Sequence, residues 1–187
     1  VGKEGRTVLF VSHNMPAVTR LCPRTILLDR GRIVRDGPSH DVVGTYLKSG
    51  LGTTAAREWP ELDTAPGNHV VRLAGVRVRG VDGAVTDAVD IRRPVGIEVE
   101  FVVLEGGHVL VPNLHVLNDE GTCVFIAGEV TSPWHRRPRP AGRYRSTARI
   151  PGNFLTEGSL IIGVAISTMD PVAVHVWERD AVAFQVV

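Results

Sequence analysis

The sequence is poor in several features that would point to a function class. Its 187 residues contain two cysteines, Cys22 and Cys123, far apart and in no C-x-x-C unit. That argues against a disulfide framework and suits two small buried thiols in a reducing compartment. Charge of one sign is lacking too. Lys and Arg number 21 against 20 Asp and Glu, so the formal net charge is +1. No global field therefore draws the chain to nucleic acid or an anionic membrane, and any electrostatic role must come from local clusters. Long hydrophobic runs are absent: Thr7 to Val11 and Leu160 to Ile166 fall far short of the ~20 residues of a membrane helix. No charged segment followed by an apolar one opens the chain as a signal peptide would. What remains is an ordinary soluble composition, 43% hydrophobic and 22% charged, without internal repeat or low-complexity segment. The chain starts Val1-Gly2-Lys3-Glu4-Gly5 rather than on Met and enters an apolar strand at once. It reads as a chain entered partway through, soluble and cytoplasmic.

Two grammars follow one another. In residues 1–48, Thr7-Val8-Leu9-Phe10-Val11 is apolar without alternation, the pattern of a parallel strand buried on both faces. Asn14 is placed to cap a helix from about Pro16 to Cys22. Thr25 to Leu28 and Arg32 to Val34 flank Asp29-Arg30-Gly31, a hairpin turn. Ser39 then caps an amphipathic helix carrying Val42, Val43, Tyr46 and Leu47. Residues 49–68 lose periodicity and gain Gly, Pro and Thr, a linker composition in which Trp59 is the one adhesive side chain.

From 69 to 187 the helical period gives way to short alternating runs broken by turns. Val76/Val78, Ile97/Val99/Phe101, Leu114/Val116, Tyr144/Ala148/Ile150, Leu160/Ile162/Val164/Ile166, Val172/Val174/Val176 and Val182/Phe184/Val186 each mark one face of a strand. This predicts an all-β domain, an antiparallel sandwich of immunoglobulin-like or jelly-roll type, preceded by a short α/β remnant.

The stretch Thr7 to Met15, with Ser12-His13-Asn14, resembles the switch-histidine region of ABC ATPases. Leu21-Cys22-Pro23-Arg24, Ile26 to Val34, Asp36-Gly37-Pro38 and a closing helix to Tyr46 follow in the order found at the end of that nucleotide-binding domain. The resemblance implies that His13 is the switch histidine of a full-length parent. An imidazole at the end of a buried parallel strand can there bond a γ-phosphate or the attacking water. No G-x-x-x-x-G-K-[ST] loop, magnesium-binding acidic strand end or signature glycine loop precedes it. The fragment is thus expected to hold no cofactor and to be no enzyme unaided, ATP and magnesium belonging to the parent.

Ala141-Gly142-Arg143-Tyr144, Ile150 to Leu155, Glu157-Gly158 and Trp177 to Val186 are similar to the C-terminal domain of Wzt-type ATPase subunits of O-antigen exporters. That resemblance implies a cytoplasmic domain at the inner face of a bacterial plasma membrane. It further implies recognition of the finished polysaccharide, a homodimer, and a membrane-embedded transporter subunit as partner.

A sugar site needs aromatic faces for C–H surfaces and planar polar groups for hydroxyls. The proline-rich stretch 128–140 offers Trp134, His135 and Arg136; the alternative for Trp134 is a lid folded onto the end of the sandwich. Asn113, His115 and Asn118 form a second candidate along one outer strand face, against the reading of a merely solvated face. No ligand set with metal-like spacing completes His108 and His115, so no metal is expected. Arg143, Arg145 and Arg149 share a face and extend Arg136-Arg137-Arg139; pairing with Glu98 and Glu100 on another strand is expected there. Nucleic acid is not expected as a partner, and Trp177 and Tyr144 read as core or interface. The rival functional reading is a domain that dimerises the subunit and binds no sugar.

Overall fold

The computed structural model describes residues 8–11, 15–29, 31–49, 55–118 and 121–187. They divide into two compact units, one holding the residues before 50 together with 121–122, the other holding 55–118 and 123–187. Among the described residues no helix is long and apolar enough to cross a membrane.

The first unit comprises α1 (Met15–Leu21), β1 (Arg24–Asp29), β2 (Arg32–Pro38) and α2 (Ser39–Ser49). β1 and β2 pair antiparallel around Gly31, whose φ of 77° suits a residue without a Cβ. Among the described residues, Val18, Val42 and Val43 are its buried apolar side chains. Ser39 opens α2 as expected, but its hydroxyl donates to the Cys22 carbonyl and lies 2.6 Å from that of Thr25. The strand expected over Thr7 to Val11 is not found: residues 8–11 carry no regular structure and their side chains are exposed, Val11 to 96%. A strand apolar on both faces needs a neighbour on each side, and no described strand pairs with these residues. Ser12, His13 and Asn14 lie outside the described residues. The cysteines also differ from expectation, Cys22 being half-buried and Cys123 exposed.

The second unit is an all-β sandwich. Its strands are β3 (Ala56–Glu58), β4 (Val71–Arg79), β5 (Ala88–Val89), β6 (Val95–Val103), β7 (Val111–Asn118), β8 (Cys123–Gly128), β9 (Gly142–Ile150), β10 (Gly158–Met169) and β11 (Val172–Val186). One sheet runs β3-β4-β6-β9, the other β5-β11-β10-β7-β8. Every pairing is antiparallel except β5 with β11. The chain lays β3 and β4 in one sheet, crosses to the other with the two-residue β5, and returns with β6. Of the two expected topologies this is the immunoglobulin type.

The inward faces supply the core, with Leu73, Val76, Val78, Ile97, Phe101, Ile162 and Ile166 fully buried. Each such side chain contributes about 1.5–3 kcal/mol by leaving water. Arg57 of β3 ties the sheets at one edge, donating to Glu178 (3.0 Å) and the Asp180 carbonyl (3.3 Å).

The sandwich begins earlier than composition suggests. Within the expected linker, β3 pairs with β4, Ala55 and Ala65 are buried, and the Trp59 amide donates to the Ala74 carbonyl at 2.9 Å. Trp59 packs against the core beneath the Arg57 guanidinium, 4.9 Å from its ring. Three residues are too few to display a period of two, so only the pairing partner reveals this strand.

Candidate functional site

The two outer faces of the sandwich are chemically unlike. On the four-stranded sheet, Arg77 and Arg79 of β4, Glu98 and Glu100 of β6, and Arg143 and Arg145 of β9 stand side by side. Arg77 donates to Glu58 (2.6 Å), Glu98 (3.1 Å) and Glu100 (3.1 Å); Arg79 reaches Glu98 at 2.9 Å. Arg143 donates to Glu100 at 2.8 Å, and Arg145 lies 3.8 Å from Glu98. Burial would raise the Glu98 carboxyl, but Arg79, Arg145 and Arg77 together hold it below the usual range. Glu100 is lowered too, chiefly by the Arg143 bond. The expected pairing of the β9 arginines with these glutamates is therefore present for Arg143 and Arg145, while Arg149 lies opposite Gly96. Two carboxylates so neutralised are held ionised, and neither is available as a general acid at neutral pH.

The outer face of the five-stranded sheet has a different centre. Asn113, Ala165 and Trp177 lie in one row across β7, β10 and β11, with His115 opposite Gly163 in the next row. Strands two apart are separated by about 9.5 Å, yet the His115 and Trp177 rings meet edge to face at 4.5 Å. The rings lean together across β10, where Ala165 of the Trp177 row is small. At Gly163 a Cβ would meet the Arg179 carbonyl at 2.7 Å, because a bulge in β11 folds over it. Trp177 keeps 44% of its surface exposed, whereas Ala165 beneath is buried. Burial alone lowers the His115 imidazole below its usual value, so the ring is neutral at physiological pH. The Asn113 amide donates to the Val111 carbonyl at 3.0 Å. The patch thus offers one partly open aromatic surface flanked by two planar polar side chains, all carried on strands.

Trp134, His135 and Arg136 lie elsewhere, on the connection from β8 to β9. Arg139 closes this loop from below. Its guanidinium is buried, bonded to the Glu129 carboxylate and the Leu110 carbonyl, and 5.6 Å from the rings of Phe101 and Tyr144. Arg139 is therefore not part of a basic surface with Arg136 and Arg137, as its sequence position suggested; it is turned inward. Ser146 donates to the other Glu129 oxygen at 3.0 Å. Trp134 is half-buried, edge-on to Tyr144 at 5.5 Å and 6.0 Å from the Arg139 guanidinium. His135 and Arg136 are exposed, Arg136 at a φ of 55°.

The six residues singled out by sequence consequently fall in three places, with Trp134, His135 and Arg136 together on the β8–β9 connection. Asn113 and His115 share the outer face of β7, while strand alternation turns Asn118 to the other side. Trp177, read as core or interface, is the addition the structure makes. The small residues Gly163 and Ala165 in an otherwise bulky strand were the available signal. A cleft of about 450 Å³ lies elsewhere, lined by Asp82, Val85, Thr86, Asp90, Arg93 and Pro94 among others; it has no aromatic wall and includes none of these residues. Among the described residues no group of three or more His, Cys, Asp or Glu is arranged to hold a metal.

No family model matches the chain. Curated relatives do. It is 31% identical over 118 residues to the methionine import ATP-binding protein MetN of Cupriavidus pinatubonensis, covering 54% of this chain and 32% of that protein. It is 26% identical over 80 residues to the ribose import ATP-binding protein RbsA of Caldanaerobacter subterraneus, covering 42% and 16%. With the ABC transporter protein AbcA of Aeromonas salmonicida identity reaches 44% over 45 residues, 24% and 15% of the two chains. The chain is similar over part of its length to ABC-transporter ATP-binding proteins. It spans no more than a third of the length of these relatives. Among solved structures, the C-terminal domain of Wzt superposes with a TM-score of 0.55 at 11% identity, covering 65% of this chain and 75% of that domain. That likeness is one of fold, and the fold it shares is the β-sandwich.

Proposed function

We propose that this chain is the polysaccharide-recognition end of an exporter's ATP-binding subunit, and that the outer face of its five-stranded sheet holds the glycan. The observation that carries this reading is the His115–Trp177 pair beside Asn113. An indole surface stacks on the apolar C–H face of a sugar, while a neutral imidazole and an amide bond its hydroxyls. Strand-borne side chains are held more rigidly than loop-borne ones, which lowers the entropic cost of binding. Trp134, His135 and Arg136 supply a second contact zone on a loop pinned by Arg139 and Glu129. In the full-length parent His13 serves ATP hydrolysis with magnesium. The parent works as a homodimer beneath a membrane-embedded subunit at the cytoplasmic face, its ligand an O-antigen-like polysaccharide.

The test is calorimetric or NMR titration of the chain with the source organism's export-ready polysaccharide beside an unrelated glycan. Selective saturable binding, lost in Trp177→Ala, is the expected result. Absence of binding by a verified dimer at millimolar ligand would sink the reading. The dimerisation reading has an observation of its own: Val124 and Ile126 of edge strand β8 expose 55% and 59% of their surface. Under that reading Ile126→Lys yields monomers.

A further inference from the structure

Three of the seven histidines, His69, His108 and His175, gather at one end of the sandwich. His175 sits where β11 bulges, since Ile166 pairs with Val176 but Ser167 with Val174. The extra residue turns its ring toward Thr168 and toward Asn68, just before β4.

The hydrogen bonds around this ring leave one consistent arrangement of protons. The Asn68 Oδ1 accepts from the backbone amides of Val70 (2.9 Å) and Val71 (3.4 Å). Its Nδ2 is therefore the atom that faces the His175 Nδ1 at 3.1 Å. Nδ2 can only donate, so Nδ1 must accept and carries no proton. On the other side the Thr168 hydroxyl donates to the Pro171 carbonyl at 2.8 Å, leaving its oxygen to accept from the His175 Nε2–H at 3.3 Å. His175 is thus a neutral Nε2–H imidazole bridging β10 and the entry to β4. A proton on Nδ1 would set two donors face to face. Asn68 has no remedy by flipping, because its oxygen is committed to Val70 and Val71.

We infer that His175 is an acid-sensitive latch: protonation of its Nδ1 releases Asn68 and the segment leading into β4. The charged and titratable groups facing it come from two neighbouring connections. His108 of the β6–β7 connection lies 6.0 Å away ring to ring. His69 stands beside Asn68, and Glu105 is their counter-charge, 3.4 Å from His108 and 3.9 Å from His69. From β10 and the turn after it come the uncharged Thr168 hydroxyl and, through it, the Pro171 carbonyl. Burial first, then repulsion from His108 and His69, keeps the His175 ring below the usual imidazole range. The unfolded chain then binds this proton more readily than the folded one. The latch therefore holds above about pH 6.5 and is lost as pH falls through the folded-state value.

The experiment follows the whole chain by NMR between pH 7.5 and 5. Ring nitrogen shifts report the His175 tautomer, and hydrogen exchange reports the Val70 amide. The expected result is an Nε2–H tautomer at pH 7.5. Val70 protection factors then fall by about fivefold, the worth of one ordinary hydrogen bond, in step with His175 titration. In His175→Gln, whose side chain accepts and donates without titrating, Val70 protection stays level across the same range. An Nδ1–H tautomer at pH 7.5 overturns the inference, as does Val70 protection unchanged after His175 has titrated. The first readout needs no variant, so a misfolded His175→Gln leaves the test intact.

Discussion

The outer faces of the two sheets are built on the same alternating strands, yet one is a lattice of charges and the other an uncharged platform. On the four-stranded sheet each carboxylate is bonded by arginines from neighbouring strands, which satisfies them and leaves little for a ligand. On the five-stranded sheet the polar groups near Trp177 are few, and the indole remains partly open. A sheet face becomes a binding surface less by gathering polar groups than by leaving some of them, and some apolar surface, unspent.

The largest expected effect lies on the loop that passes from one sheet to the other. Arg139→Met leaves Glu129, 14% exposed, without its buried cation; this should cost about 3–5 kcal/mol, read from urea denaturation. A loss under about 1 kcal/mol would mean that water replaces the guanidinium. Next comes a pair of glycine substitutions. Gly163→Ala drives a Cβ into the Arg179 carbonyl and should cost about 1–3 kcal/mol, with a change in Trp177 fluorescence. Gly96→Ala, on the charged sheet, meets Arg79 and Thr147 side-chain carbons at 3.5 and 3.6 Å, an ordinary contact, and should be near neutral. Equal costs for the two would erase the distinction drawn between the faces.

Acid should act on the charged lattice. Glu98 and Glu100 sit below their unfolded values, so they stabilise the fold above about pH 4.3 and cease to as pH falls through the folded values. Thermal melts from pH 6 to 3 should show the decline, and Glu98→Gln should flatten it. A small stability effect also belongs to Trp177→Ala, under about 1 kcal/mol for a side chain so exposed. A large loss of stability there would recast Trp177 as structural and remove the platform from consideration.

Much of the charged face was legible in the sequence. Alternation put Glu98 and Glu100 on one side of β6 and the β9 arginines on one side of theirs, and only their adjacency needed the register. The platform was hidden by β11. Val172, Val174 and Val176 read as a single face, but the bulge at His175 leaves Val174 exposed and Val176 buried, and with it turns Trp177 outward. A bulge changes strand parity without any residue type that announces it. Arg139 was hidden for another reason. Its position in a basic stretch suggested surface charge, whereas Glu129 and the Phe101 and Tyr144 rings draw it inward, and only the fold brings the distant Phe101 against it.

The Glu129–Arg139 bond also has a consequence for how such a domain diversifies. It fixes both ends of the β8–β9 connection against the body of the sandwich. The residues between form a cassette whose ends stay put whatever it contains. Lengthening a closed loop adds only about 0.6 kcal/mol per doubling, so positions 130–138 can be exchanged or extended while the strands on either side keep their register. One scaffold could in that way be refitted to many ligands by swapping a single stretch of chain.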